Sequence, residues 1–333
     1  MKILALSPLA YDATSYYRAF GVFPNLKKKI PDLVVEPYMG GGRRTWAELL
    51  QYDVLFLQRP AHPDWLKLAQ YCKGLGIKVW VDHDDNLFDL PPYNRVADTY
   101  TPQVKKTMLD IMRLADVITV STEAIKTYFA GIGVDNVVVI PNALNTDLTR
   151  MAAAYNEPDP TKNDQFVWRG SETHVADCAF FADAMGDAID RRGKTFWNFF
   201  GYNPWQITIN FSPVKWRYHI PEDIMVYVEN LRSIKGQLMH VPLVEDGLNL
   251  CKSNIAWIEA TAAGMVTLAP DWHEWQKPGV LNYKSIDEYG SLLMRPLDDA
   301  KERWAASRDY IMENLTLDKV NEQRATILNN LFK

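Results

Sequence analysis

The chain has 333 residues, 47% of them hydrophobic and 23% charged. At roughly 150 residues per domain this predicts two domains, each with its own core, and excludes extended disorder. A net charge of −5 excludes a globally basic nucleic-acid binder, though not a local basic groove. The first apolar run, residues 1–6, stops at Ser7-Pro8. It is too short for a signal peptide and predicts a buried strand. No stretch approaches the ~18 apolar residues of a membrane span. Residues 15–28 have helical spacing and a basic end. Residues 32–38 and 53–58 predict the second and third strands, 64–75 a helix stopped by Gly74 and Gly76, and 78–81 a fourth strand. Within 103–116, Val104, Met108, Ile111 and Ala115 share one stripe of an amphipathic helix. Runs 117–120 and 137–140 are β-branched strands. Apolar strands separated by helices imply a parallel sheet covered on both faces.

Residues 145–164 break this rhythm with Pro158, Pro160 and a polar run, and predict a linker. The alternation then restarts. Strands are expected at 166–168, 195–200, 206–211, 224–228, 240–244 and 266–268, and helices at 175–191, 254–263 and from 297 onward. Cys72, Cys178 and Cys251 form no C-x-x-C pair, which fits reduced thiols in a cytoplasmic protein. The 11 Trp serve either as core or as stacking faces for sugars and bases.

In open parallel sheets ligands bind beyond the carboxyl ends of the strands. After 166–168 come Arg169, Gly170, Ser171, Glu172, Thr173 and His174, then a helix. A glycine turn before a helix N-terminus suits a phosphate, and Ser171, Thr173 and His174 add donors; a plain N-cap is the simpler alternative. Further on, Asn249, Lys252 and Ser253 precede the helix that carries Glu259. Cation, hydroxyl and helix dipole converge there, and a carboxylate further along can accept hydrogen bonds from a ribose diol. Lys215 and Arg217 are further candidate cations.

The run N-x-x-K-S-N-x-x-x-x-E-A-x-A-A-G at 249–264 resembles the donor-binding element of GT-B glycosyltransferases, in particular the family-4-type retaining enzymes. Gly170-Ser171-x-Thr173-His174-x-x-Asp177 is similar to their G-S-x-x-H-x-x-D loop, and Val139-Ile140-Pro141-Asn142-Ala143 to their V-I-P-N-G/A run. The stretch from Ala115-Asp116 to Ser121-Thr122, Ser15-Tyr16-Tyr17-Arg18, and the 82–88 segment match further pieces. Many members carry a second glutamate eight residues before the one matched by Glu259; here that position is Cys251.

The resemblance implies two Rossmann-like domains with the active site in the interdomain cleft. An acceptor domain would span 1–148, a linker 149–164 and a donor domain 165–310, with a helix over 311–333 packing back toward the first domain. It implies a nucleotide-diphosphate sugar, UDP-sugar foremost, as donor, no required cofactor and no divalent metal. Arg169, Gly170, Ser171, Thr173, His174, Asn249, Lys252, Ser253 and Glu259 would bind the donor, and Tyr16, Tyr17 and Arg18 the acceptor. The acceptor is a saccharide, a lipid-linked sugar at a membrane surface, or a hydroxymethylated DNA base as in phage DNA modification. Residues 40–44 (Gly-Gly-Gly-Arg-Arg) favour the last.

Asp82, His83, Asp84 and Asp85 follow a strand and are the catalytic candidates. Carboxylates this close need a cation, hydrogen bonds or a raised pKa. They fit acceptor hydroxyls, a bound divalent ion, or a capped turn before Pro91-Pro92. The resemblance implies retention of the anomeric configuration, with the leaving diphosphate taking the acceptor proton and no protein nucleophile required; inversion would make one of these acids the general base. A nucleotide-sugar epimerase and a non-catalytic sugar-binding protein are the competing functions.

Overall fold

The computed structural model describes residues 1–7, 12–38, 45–145, 164–209, 211 and 215–333. Residues 40–44 and most of the expected linker lie outside the described residues. Two six-stranded parallel sheets build the chain. The first holds β1 (Lys2–Leu6), β2 (Val34–Pro37), β3 (Val54–Gln58), β4 (Lys78–His83), β5 (Val117–Val120) and β6 (Val137–Val139), in the order β2-β1-β3-β4-β5-β6. The second holds β7 (Gln165–Gly170), β8 (Phe196–Gly201), β9 (Trp216–His219), β10 (Leu238–His240), β11 (Val266–Pro270) and β12 (Leu281–Tyr283), in the order β12-β11-β10-β7-β8-β9. The strand order reverses between β1 and β3 in the first sheet and between β10 and β7 in the second. A crevice opens at such reversals, at the carboxyl ends of the strands. The fold is thus α/β with two Rossmann-like domains, and the two crevices face one cleft.

The strands of the centre are buried on both faces; every residue of β3 and β5 is buried. Helices cover them for local reasons. Helix Pro102–Leu114 starts at Thr101, whose hydroxyl accepts the Val104 N–H, with Pro102 in the first turn. It buries Thr107, Met108, Ile111 and Met112. The expected helix at 15–28 is instead three short pieces: Ala13–Ser15, a π-helical turn Tyr16–Phe20, and Phe23–Leu26. The second half departs further from the sequence expectation. Where a strand is expected at 206–211, Trp205–Thr208 is a helical turn following Pro204. Residues 224–228 open an α-helix, Ile224–Ile234, capped by Asp223 and burying Ile224, Val228 and Leu231 at helical spacing. The strand expected at 240–244 ends at His240.

The chain returns to the first domain at its end. Leu144 accepts from Leu317 N at 2.7 Å and donates to Leu315 O at 2.8 Å. The last helix, Leu317–Asn330, then places Ala325 and Leu328 in one core with Ile3, Phe56 and Trp80. Asn321 Nδ2 donates to Asn25 Oδ1 at 2.8 Å and Lys29 pairs with Asp318 at 3.0 Å. Among the described residues no helix is long and apolar enough to cross a membrane. Trp80, Trp168, Trp197, Trp257 and Trp304 are fully buried core, whereas Trp205 is exposed.

Candidate active site

The first wall of the cleft comes from the ends of β3 and β4. Arg59 directly follows β3 and has a left-handed backbone, φ 46°. A non-glycine residue held there stores strain, a feature that clusters at functional sites. Its guanidinium grips two carboxylates: Nε donates to Asp84 Oδ1, and Nη2 to Asp85 Oδ2 at 2.7 Å. Burial and these two carboxylates act on it in opposite directions, and the net effect holds it firmly charged. Burial raises the Asp84 carboxyl more than Arg59 lowers it. Burial also acts upward on Asp85, but Lys252, Arg59 and His174 outweigh it and hold that carboxyl below its ordinary range.

Asp82 and His83 lie within β4 rather than beyond it. Both are buried and neither lines the cleft. Asp82 accepts from Arg18 Nε at 3.0 Å and Nη2 at 2.8 Å, and from Thr119 Oγ1 at 2.6 Å. Arg18 is spent on this pair and on Ile140 O at 2.6 Å. Among the described residues neither ring nitrogen of His83 has a hydrogen-bond partner, and the ring sits against Phe88 and Phe129.

The second wall comes from β7, β10 and the start of helix Ile255–Ala262. Gly170 is required by crowding: a Cβ there would lie 2.6 Å from the Trp168 ring and 3.0 Å from His174 Cδ2. The glycine therefore makes room for the imidazole. His174 Nδ1 is 2.7 Å from Asp177 Oδ2, and Asp177 Oδ1 accepts from Val244 N at 2.7 Å and Asn249 Nδ2 at 2.9 Å. Burial, with Lys252 beside it, lowers the His174 pKa. Asn249 is thus a buried support of this loop. Ser171 caps the turn by accepting from Thr173 N at 3.4 Å, and neither residue lines the cavity.

Lys252 lies 3.9 Å from Asp85 across the cleft. Ser253 Oγ accepts from Asn142 Nδ2 at 2.8 Å, and Asn142 Oδ1 accepts from Arg18 Nη1 at 3.2 Å. Glu259, at the cleft floor, accepts from Tyr17 OH at 2.8 Å and Tyr227 OH at 2.9 Å. Arg169 Nε stands 3.0 Å from its Oε2, an ion pair without hydrogen-bond alignment. Burial and the Glu259 charge push both tyrosine hydroxyls well above their usual range. Cys251 turns away and packs into the first domain's core, where Thr122 Oγ1 donates to its carbonyl at 3.0 Å.

Together these groups enclose about 740 Å³, open mouth included. Arg59, Arg169 and Lys252 face Asp84, Asp85 and Glu259, so cations and carboxylates balance among the described residues of the lining. Of the residues singled out from sequence, Tyr17, Asp84, Asp85, Arg169, His174, Lys252, Ser253 and Glu259 line the cavity; Tyr16, Arg18, Asp82, His83, Gly170, Ser171, Thr173 and Asn249 stand behind it or at its edge. Lys215 is remote, donating to Ile189 O at 3.3 Å. Sequence reasoning missed Arg59 and Tyr227, and it gave no role to Asn142, which it met only within the matched 139–143 run. Arg59 was open to it, as the residue just past a strand; Tyr227 was not, because its segment was expected to be a strand.

This arrangement of two Rossmann-like domains around a cleft is the GT-B fold of glycosyltransferases. Among solved structures, HepE from Anabaena in complex with UDP and glucose aligns with a TM-score of 0.69 at 12% identity, over 99% of this chain and 100% of that one. A glycosyltransferase from Rickettsia africae aligns at 0.66 and 12% identity, over 100% and 98%. A UDP-forming α,α-trehalose-phosphate synthase from Burkholderia vietnamiensis aligns at 0.65 and 12% identity, over 99% and 97%. No family model and no curated protein sequence matches the chain.

Proposed function

We propose that the chain is a glycosyltransferase that moves a sugar from a nucleotide-diphosphate sugar to an acceptor hydroxyl. The carrying observation is the convergence of Lys252, Ser253 and the start of helix Ile255–Ala262 on a cleft floored by Glu259. Lys252, Ser253 and the free N–H groups of the helix start would hold the diphosphate, with Arg169 and the 170–174 turn around it. Glu259 would hold the ribose, its Oε1 having one described hydrogen-bond partner and so a lone pair to spare. The donor class is UDP-sugar, in line with the UDP complex of the similarly folded HepE. The first domain would bind the acceptor and the second the donor. Three free, buried thiols fit a reducing cytoplasm.

On the acceptor side the acids narrow to Asp84 and Asp85, because Asp82 is committed to Arg18. Arg59 pairs with both and Lys252 lies 3.9 Å from Asp85, which supports a reading in which these cations, and not a divalent ion, compensate the two acids. With retention, the departing diphosphate takes the acceptor proton, and the protein stabilises an oxocarbenium-like centre and the growing phosphate charge. With inversion, Asp84 or Asp85 is the base; the anomeric configuration of the product, read by NMR, separates the two.

A thermal-shift panel of nucleoside diphosphates and nucleotide sugars, with and without EDTA, tests the reading. One nucleoside diphosphate should stabilise the chain equally in both conditions. No response to any nucleotide overturns the proposal; a response abolished by EDTA overturns its metal-free part.

A further inference from the structure

Among the described residues that line the cleft the fixed charges sum to zero: three cations against three carboxylates, each cation within 4 Å of a carboxylate. A nucleoside diphosphate brings two or three negative charges into this space. Something must compensate them beyond cations that already have partners. His174 is the remaining ionisable group of the lining with a low ordinary pKa and no charge to lose.

Its surroundings suit it to take up a proton there. The Asp177 carboxylate accepts from Nδ1 at 2.7 Å and is itself fixed by two donors, Val244 N and Asn249 Nδ2. With Nδ1–H committed to Asp177, the neutral ring carries its lone pair on Nε2, which no described residue bonds; the tautomer is assigned from this network. Protonation at Nε2 would turn that acceptor into a donor, while Asp177 stabilises the imidazolium from behind. The charges facing the ring from the other elements are Lys252 and Arg169, which oppose protonation, and Asp85, which favours it. In the empty cleft burial and the two cations prevail. A diphosphate between the ring and Lys252 reverses that balance.

We propose that His174 is neutral in the empty cleft and binds a proton as the donor's diphosphate arrives, so that His174 and Asp177 form a proton-charged anion clamp. Asp177 acts as a positioning residue in this pair. The inference deepens the glycosyltransferase reading and depends on it.

Titration calorimetry with UDP tests it, at about pH 7.5, above the ~6 at which a terminal phosphate titrates. Two buffers of different ionisation enthalpy report protons taken up. Uptake should approach one proton per UDP, and affinity should fall by up to tenfold per pH unit at higher pH. His174→Gln should bind more weakly, take up no proton and lose the pH dependence. Asp177→Asn, with the ring retained, should reduce the uptake; it serves also if His174→Gln does not fold. UDP binding without proton uptake in the unaltered chain overturns the inference alone. So does equal uptake by His174→Gln, which would assign the proton to Asp84 or Asp85. Failure of every nucleoside diphosphate to bind removes the underlying reading, and the clamp with it.

Discussion

Arg18 and Asp82 have side chains 0% and 3% exposed, and their two parallel hydrogen bonds hold the π-helical turn against β4. Removing one charge from such a pair leaves the other uncompensated, at about 3–5 kcal/mol. Asp82→Asn should therefore lower the urea midpoint strongly, and Arg18→Met with Asp82→Leu should recover part of the loss. UDP affinity of the folded fraction should stay unchanged; normal stability with lost activity would contradict this structural role. Buried histidines give a second residue-scale expectation. Burial pushes His83 down to about 4 and His240 to about 3, against about 6.5 in an unfolded chain. Below pH ~6.5 the unfolded chain binds more protons, so stability falls as pH falls, by up to about 1.4 kcal/mol per unit for each histidine. Glu274 acts oppositely. Burial lifts it to about 7, so the stability it contributes is present below ~4.5 and lost as pH rises through 7. Urea midpoints between pH 5 and 8 should fall toward acid in the native chain, and Glu274→Gln should steepen that acid fall and raise the midpoint at pH 8. A native midpoint that rises from pH 7 to 5 would sink the assignment.

Among the elements, the last helix is the one whose loss reaches furthest in sequence. Leu328 is fully buried beside Ile3, Phe56 and Trp80. Leu328→Ala should cost about 2–5 kcal/mol, and hydrogen exchange should rise in β1 and β3 rather than in β7 and β8. Equal loosening of the second sheet would contradict the helix's docking on the first. Such packing is not written in the helix itself, whose apolar residues fit any partner face. The six strands of the first sheet were legible because each apolar run is short and ends in polar or glycine residues. Helix Ile224–Ile234 was not: Ile224, Met225, Val226, Tyr227 and Val228 are a continuous apolar run, and only the later Leu231 completes the helical stripe. β9 is an edge strand with no fully buried residue, so its pattern is weak. The donor-side motif was legible because its residues lie close along one loop and helix. The partners of Asp82 and Glu259 were not, because Arg18 and Tyr17 reach them from distant sequence.

At the scale of the whole molecule, the two sheets are joined by polar contacts that cluster around the cleft. Tyr17 reaches Glu259, Asn142 reaches Ser253, Thr122 reaches the Cys251 carbonyl, and Tyr93 donates to Asp246 at 2.7 Å. Gly247 comes so close to the first domain that a Cβ would lie 1.9 Å from Asp89 Oδ2. Each contact is modest, about 0.5–1.5 kcal/mol net for the neutral pairs and about 1.5–3 kcal/mol for those to a carboxylate. Two of them, from Tyr17 and Asn142, end on residues proposed to hold the donor, and the others end just before Lys252, at Asp246, Gly247 and Cys251. A ligand that orders Lys252, Ser253 and Glu259 therefore acts on both domains at once. At 100 times its Kd a nucleotide adds about 2.7 kcal/mol. That gain should appear as slower hydrogen exchange in β3 and β4 as well as in β7 and β10. Asn142→Ala cuts one of the links without touching the second domain's own contacts. It should leave protection of β7 and β10 by the nucleotide intact and diminish that of β3 and β4. Protection confined to the second domain in the unaltered chain would show that the cleft contacts do not couple the domains.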